Sequence, residues 1–334
     1  MTRFWWQIGL VGLGAGLCSA LLVASLLAGS SLSIPLFCLA PLPIMVVALG
    51  WSHWAGLAAV ATAAIALALA VDPSYLIGFP LSFGLPAWWL GYLALLAQPG
   101  GREGELDWYP VGRLVLWAAV LGALVALIAI AQLGGDAATI QQTLHRAFEH
   151  MLRLQLEIPA DAPLVVPGID DPNRVIDLVV AAAPAAVAVL STIIQLFNLW
   201  LAARVVKISG RLRRPWPDLA ATRLPPAAML ALVLAFAGTF LPGILGIAAA
   251  MPTASLLVAF AVLGFAVMHG ITRYMQGRTA VLIILYTGFV LLGWSGWPIL
   301  MMSLLGMIDG AFDLRRRVAA TRRPPPIPPP ERNL

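Results

Sequence analysis

Apolar residues in this chain come in unbroken runs, without the alternation of a half-buried strand or the single stripe of a surface helix. Such runs cover 8–28, 34–50, 54–71, 75–97 and 111–133, and then, after a polar interval, 175–206, 224–250, 254–274, 279–293 and 298–312. Each approaches the roughly 20 residues that carry an α-helix across about 30 Å of hydrocarbon. The pattern predicts an all-α, polytopic transmembrane helix bundle of about ten spans, with eight as the lower count. The first run is longer than the apolar core of a secretory signal peptide, about 7 to 15 residues, and is read as a retained span.

The polar interval has a different periodicity. Ile140, Leu144, Phe148, Met151, Leu154 and Ile158 fall on one helical stripe, while Gln141, His145, Arg146, Glu149 and Arg153 lie elsewhere. Asp136 is placed to cap this helix and Pro159 to stop it. The chain therefore divides into a first membrane half over 1–133, an extracytoplasmic loop with an amphipathic helix over 134–174, a second membrane half over 175–312, and a basic tail over 313–334. That tail carries the run Pro324 to Pro330 and is expected to be disordered or polyproline II.

Composition agrees with lipid as the main solvent. Of 334 residues 61% are hydrophobic and 10% charged, against about 25% charged in an ordinary soluble domain, which excludes a water-soluble globular protein. The net charge of +5 would suit nucleic acid if the arginines were grouped for it. With the N-terminus inside, ten spans instead put 17 of the 20 basic residues on the cytoplasmic side, leaving Arg146, Arg153 and Arg174 outside. The expected location is a bacterial inner membrane with both termini cytoplasmic. The expected partners are the bilayer and, at the cytoplasmic face, anionic headgroups, with no role for nucleic acid. Trp5, Trp6, Trp51, Trp54, Trp108 and Trp200 fall at the inner boundaries. Cys18 and Cys38 lie in apolar runs at different depths and are read as small packed hydrophobes.

Candidate chemistry is sparse. Ser191, Gln195 and Asn198 share a helical spacing in the sixth span, and Asp177 stands near its outer end. These residues either bind a substrate or tie helices together. His269, Arg273, Asp309 and Asp313 should meet near the inner surface as an ion pair. Gly293-Trp294-Ser295-Gly296 resembles the serine motif of rhomboid proteases, but no histidine follows His269 to act as its base. His145 and Glu149 share a face without a third metal ligand, and no nucleotide-binding loop is present. The expectation is a protein without catalytic residues, metal or cofactor. Gly9, Gly12, Gly16 and Ala20 form a ridge of small residues that lets another helix approach closely, from this chain or from another subunit. Pro41 with Pro43, Pro80 with Pro86, and Pro242 with Gly243 are placed to break the second, fourth and seventh spans.

The glycine-rich first span, Pro41-Leu42-Pro43, Trp108-Tyr109-Pro110-Val111-Gly112-Arg113, and Leu305-Gly306-Met307-Ile308-Asp309 running into Asp313-Leu314-Arg315 resemble the YybS-type bacterial membrane proteins, a family of unknown function. These are similar in turn to the substrate-binding S components of energy-coupling-factor vitamin transporters. The resemblance implies that Gly12, Gly16 and Ala20 dock a transmembrane coupling subunit served by separate ATPases. Two functional readings follow. One is a transporter-like protein that binds a small solute from the outer side. The other is a non-transporting scaffold or assembly factor for an envelope or division-related complex.

Overall fold

In a medium without water a backbone must satisfy its own polar groups, and the α-helix does so within one segment. The computed structural model, which describes residues 2–102, 104–159, 162–165 and 168–321, is accordingly mostly helical. The first half contains α1 (Thr2–Ala24), α2 (Ser33–Cys38), α3 (Leu42–Gly50), α4 (His53–Ala70), α5 (Tyr75–Phe79), α6 (Leu85–Ala94) and α7 (Val111–Ala131). A two-stranded antiparallel ribbon, β1 (Ala97–Pro99) and β2 (Leu106–Trp108), joins α6 to α7 and was not foreseen in the sequence. Next come α8 (Ala137–Gln155), α9 (Pro172–Ile208), α10 (Ala227–Gly238), α11 (Ile244–Ile271), α12 (Arg278–Leu292), α13 (Trp297–Phe312) and α14 (Leu314–Thr321). The proline run of the tail lies outside the described residues.

Small residues set the closest contacts. A Cβ on Gly12 would lie 2.7 Å from the Cβ of Ala58, and one on Gly16 would lie 2.6 Å from the Cβ of Thr62, so α1 and α4 pack side by side and parallel. Ala55, Ala59 and Ala63 of α4 are completely buried. The helix that meets the ridge is therefore α4 of the same chain, and Ala20 is buried along with it. Gly9 has no heavy atom within 4 Å. In the second half α11 is central. It packs on α7, α9, α10 and α13, and Gly264 and Gly306 bring the α11 and α13 backbones together at Met302 and Phe260.

Among the described residues seven segments are long and apolar enough to cross a membrane, instead of about ten. They are α1 with the turn that follows it, α2 with α3, α4, α5 with α6, α7, α9 and α11. Helices α10, α12 and α13 have 12, 15 and 16 residues. At 1.5 Å per residue they reach only about 18 to 24 Å. The expected boundary at 250–254 is absent, because α11 runs through Pro252. The chain instead reverses at Gly243, whose φ of 68° and ψ of −140° suit glycine and no side-chain-bearing residue. Pro80 produces no break either. A π-turn over Pro80–Gly84 carries α5 directly into α6. The other two proline sites do interrupt helices, at Leu39–Pro41 and at Thr239–Gly243.

Helix α8 lies across the end of the bundle opposite the arginine-rich loops. Asp136 accepts the Thr139 N–H at 3.0 Å and its hydroxyl at 2.7 Å, and these bonds hold the Asp136 carboxyl below the usual carboxylate range. Ile140 is buried among Ala126, Ile130, Ala188 and Met251, whereas Met151 and Leu154 stay exposed. The helix stops at Gln155, before Pro159.

Replacing Gly16 by Leu should lower stability by about 1 to 3 kcal/mol, because the added side chain overpacks the α1–α4 contact. Gly14 has open space around it, so Gly14→Leu should change stability by less than about 0.5 kcal/mol. Denaturant titration of the two variants in detergent checks the contrast.

Candidate functional site

Of the three shorter apolar helices, α12 borders a space left open at the basic end of the bundle. None of the described side chains of α12 is buried. This helix reaches α11 through side chains alone: Tyr286 stacks on Phe265 at 5.8 Å between ring centroids, Phe289 meets Phe265 edge-on at 5.2 Å, and the Tyr286 hydroxyl lies 2.8 Å from His269 Nε2. Between α9, α11 and α12 a cavity of about 720 Å³ remains, within the range of small-molecule sites, roughly 300 to 1,000 Å³. Its walls are apolar: Leu196, Leu199 and Ala203 of α9, Val262, Phe265 and Ala266 of α11, and Val111, Leu114 and Val115 of α7.

The rim has the opposite character. The segment 209–226 contains Pro215, Pro217, Pro225 and Pro226, which cannot donate to a helical ladder, so it crosses the end of the bundle as an extended strap with one 3₁₀ turn at Leu219–Ala221. Several interactions hold it, among them the following. Arg214 Nη1 donates to the Ala94 carbonyl at 3.2 Å, Arg273 pairs with Asp218 at 3.0 Å, and Trp216 lies under Lys207 and Arg204, at 4.8 and 5.2 Å from its ring centroid. Arg214, Trp216, Asp218, Arg273, Arg278 and His269 all line the cavity. Asp218 is neutralised by Arg273, and among the described residues no carboxylate pairs with Arg214 or Arg278. Burial pushes the half-buried Arg214 guanidinium below its ordinary value. It nonetheless remains charged, as arginine does in proteins. An apolar chamber with unneutralised positive charge at its mouth can hold a molecule that is oily at one end and anionic at the other.

The polar residues singled out in the sixth span are elsewhere. Asn198 is fully buried, and its Nδ2 donates to the Cys38 carbonyl at 2.8 Å and to the Ile194 carbonyl at 2.7 Å. The first bond caps a carbonyl freed where α2 breaks from α3, so Asn198 joins helices. Gln195 is buried beside it with no partner for its amide among the described residues, and Ser191 is half-buried. Asp177 is exposed and meets His145 Nδ1 at 3.1 Å, tying α8 to α9. None of the four lines the cavity.

The expected cluster of His269, Arg273, Asp309 and Asp313 does not form. Asp309, 4% exposed, accepts the Arg315 backbone N–H at 3.0 Å, and its Oδ2 lies 3.0 Å from Nε and 2.8 Å from Nη2 of the same arginine. Asp313, at the left-handed residue between α13 and α14, pairs with Arg223 at 2.8 Å. The left-handed residue at Asp313 lets α14 carry Arg315 to a carboxylate only six residues away, so Asp309 pairs with Arg315 instead of with His269 or Arg273. Arg315 Nη1 also donates to the Ala220 carbonyl at 2.7 Å, which ties the tail to the strap.

Arg214, Trp216 and Arg278 escaped the sequence reading, which treated their loops as lipid-facing charge. The one available signal was the pair of prolines flanking Trp216, which forbids a helix just where the basic residues concentrate.

The chain belongs to the predicted membrane protein family DUF2232, whose family model matches residues 17–310. No curated protein and no solved structure matches it. Replacing Asp309 by Ala would leave the mostly buried Arg315 guanidinium without its anion, and should cost about 3 to 5 kcal/mol. Asp313 is half-buried and its partner Arg223 is exposed, so Asp313→Ala should cost less, about 1 kcal/mol. Thermal denaturation of both variants in detergent measures the difference.

Proposed function

We propose that this protein is a membrane-embedded binding protein of transporter-like kind, with the cavity at its basic end as the binding chamber. The observation that carries the reading is the origin of the walls. Leu49, Leu95 and Leu114 come from the first membrane half, while α9, α11 and α12 come from the second. A chamber between two helical halves is where bundles place small-molecule ligands, and movement of one half against the other would open or close it.

In this reading α10, α12 and α13 extend their crossings with flanking apolar residues, giving ten passages in a bacterial inner membrane. The arginine bias then puts both termini and the chamber mouth on the cytoplasmic side. Ligand is taken from that side, opposite to the outer entry expected from sequence. Helix α8 lies at the external end. Chemistry at the site is binding without catalysis. A coupling subunit at Gly12, Gly16 and Ala20 is not part of this reading, because α4 already covers those residues.

Filling the chamber tests it. Ala203 lines the cavity, and Ala203→Trp adds bulk to a space that is empty of protein. Native mass spectrometry of the full chain released from gentle detergent should find a small molecule retained by the wild type, with occupancy at least tenfold lower in Ala203→Trp. Equal occupancy in both would overturn the assignment of the chamber.

A further inference from the structure

The walls and the rim together restrict what the chamber can accept. We infer that it takes a phosphate-headed anionic lipid from the adjoining leaflet, with the headgroup against Arg214 and Arg278 and a hydrocarbon chain between Leu199, Ala203, Phe265 and Ala266. This rests on the chamber reading above and names its ligand class.

Four observations converge on it. The first is charge. Arg214 is half-buried, its one hydrogen bond goes to a backbone carbonyl, and no carboxylate of the described residues neutralises it. A desolvated guanidinium gains most from an anion that accepts two N–H bonds at once, and phosphate matches that fork. The second is the apolar remainder. A soluble anion at Arg214 would leave the leucine, alanine and phenylalanine walls facing water, whereas a hydrocarbon chain covers them. The third is access. Tyr286 of α12 and Trp200 of α9 line the cavity yet are 43% and 44% exposed, so the flank between these helices is not sealed by protein. The fourth is depth. Trp200 and Trp216 line the same cavity as Arg214 and Arg278, each with Arg204 over its ring, and indole rings favour the headgroup level of a bilayer, where the lipid phosphate lies.

The experiment uses the full chain in a neutral detergent, with melting temperature and native mass spectrometry read on addition of phosphatidylglycerol, phosphatidylcholine or inorganic phosphate. Phosphatidylglycerol should bind and raise the melting temperature, because a ligand that binds only the folded state stabilises it. Phosphatidylcholine should need at least ten times the concentration, and inorganic phosphate at matched concentration should do nothing. Arg214→Gln should weaken phosphatidylglycerol binding at least tenfold and Arg214→Lys less, while Arg213→Gln, at an exposed neighbour outside the cavity, should leave it unchanged. If Arg214→Gln fails to fold, Arg278→Gln supplies the same readout from an exposed rim position and should weaken binding severalfold.

Undiminished phosphatidylglycerol binding in the folded arginine variants would overturn the inference, as would an equal response to phosphatidylcholine. An equal response to inorganic phosphate would make the site one for a soluble anion and overturn the lipid assignment. These outcomes leave the chamber itself standing if a retained molecule still disappears in Ala203→Trp. Phosphatidylglycerol that binds Ala203→Trp as well as wild type would place the lipid elsewhere and overturn the inference.

Discussion

Wherever the backbone ladder of this bundle is interrupted, a donor from another element must supply what water would supply elsewhere. That requirement explains the placement of Asn198 and Ser19. The break between α2 and α3 frees carbonyls at Cys38 and Ala40, and Asn198 and Ser19 reach across from α9 and α1 to meet them, at 2.8 and 2.7 Å. Hydroxyls also bond to carbonyls inside unbroken helices: Ser255 of α11 donates to the Ala188 carbonyl of α9 at 3.3 Å, and Ser303 of α13 to the Leu257 carbonyl of α11 at 2.6 Å. Each such bond fixes the height of one helix against the next, a task that apolar packing alone leaves loose when lipid is as oily as the helices themselves.

The same requirement operates at the basic end, but there the donors are arginines. Arg315 reaches Ala220 and Arg214 reaches Ala94, so two guanidinium groups fasten the strap, the α13–α14 hinge and the end of α6. They differ in what balances their charge. Arg315 has Asp309 beside it and is closed. Among the described residues Arg214 has a carbonyl but no carboxylate, and it faces a cavity. A structural role accounts fully for the first and only partly for the second, and this asymmetry makes the rim a binding feature.

Packing quality varies along the chain in a way that fits this division. α1 and α4 meet through glycine and alanine at contact distances that admit no further atoms, and α11 and α13 do the same. α12 is held more loosely, by Phe265 with Tyr286 and Phe289, by the Tyr286–His269 hydrogen bond and by contact with α13. Regions with few buried contacts open at low energetic cost. Of the helices that border the chamber, α12 is thus the one least anchored by buried side chains.

The all-helical class, the membrane as solvent, the amphipathic α8 with its cap at Asp136 and the concentration of arginine at one end were legible in the sequence, because each depends on local composition and periodicity. Element boundaries were less so. The expected span boundary at 250–254 fell inside α11, because a proline can be carried inside a packed helix, whereas the break expected at Pro242 and Gly243 is present, because a backbone at φ 68°, ψ −140° cannot continue a helix. The site was illegible for a different reason. Polar residues such as Gln195 and Asn198 draw the eye in an apolar run, and Asn198 turned out to serve a neighbour's backbone. Arg214 and Arg278 look like ordinary loop charge until α9, α11 and α12 are assembled around them. Sequence decides what each segment can tolerate as its surroundings. Only the tertiary structure decides which charges find a partner, because pairing depends on distances between residues that are far apart in the chain.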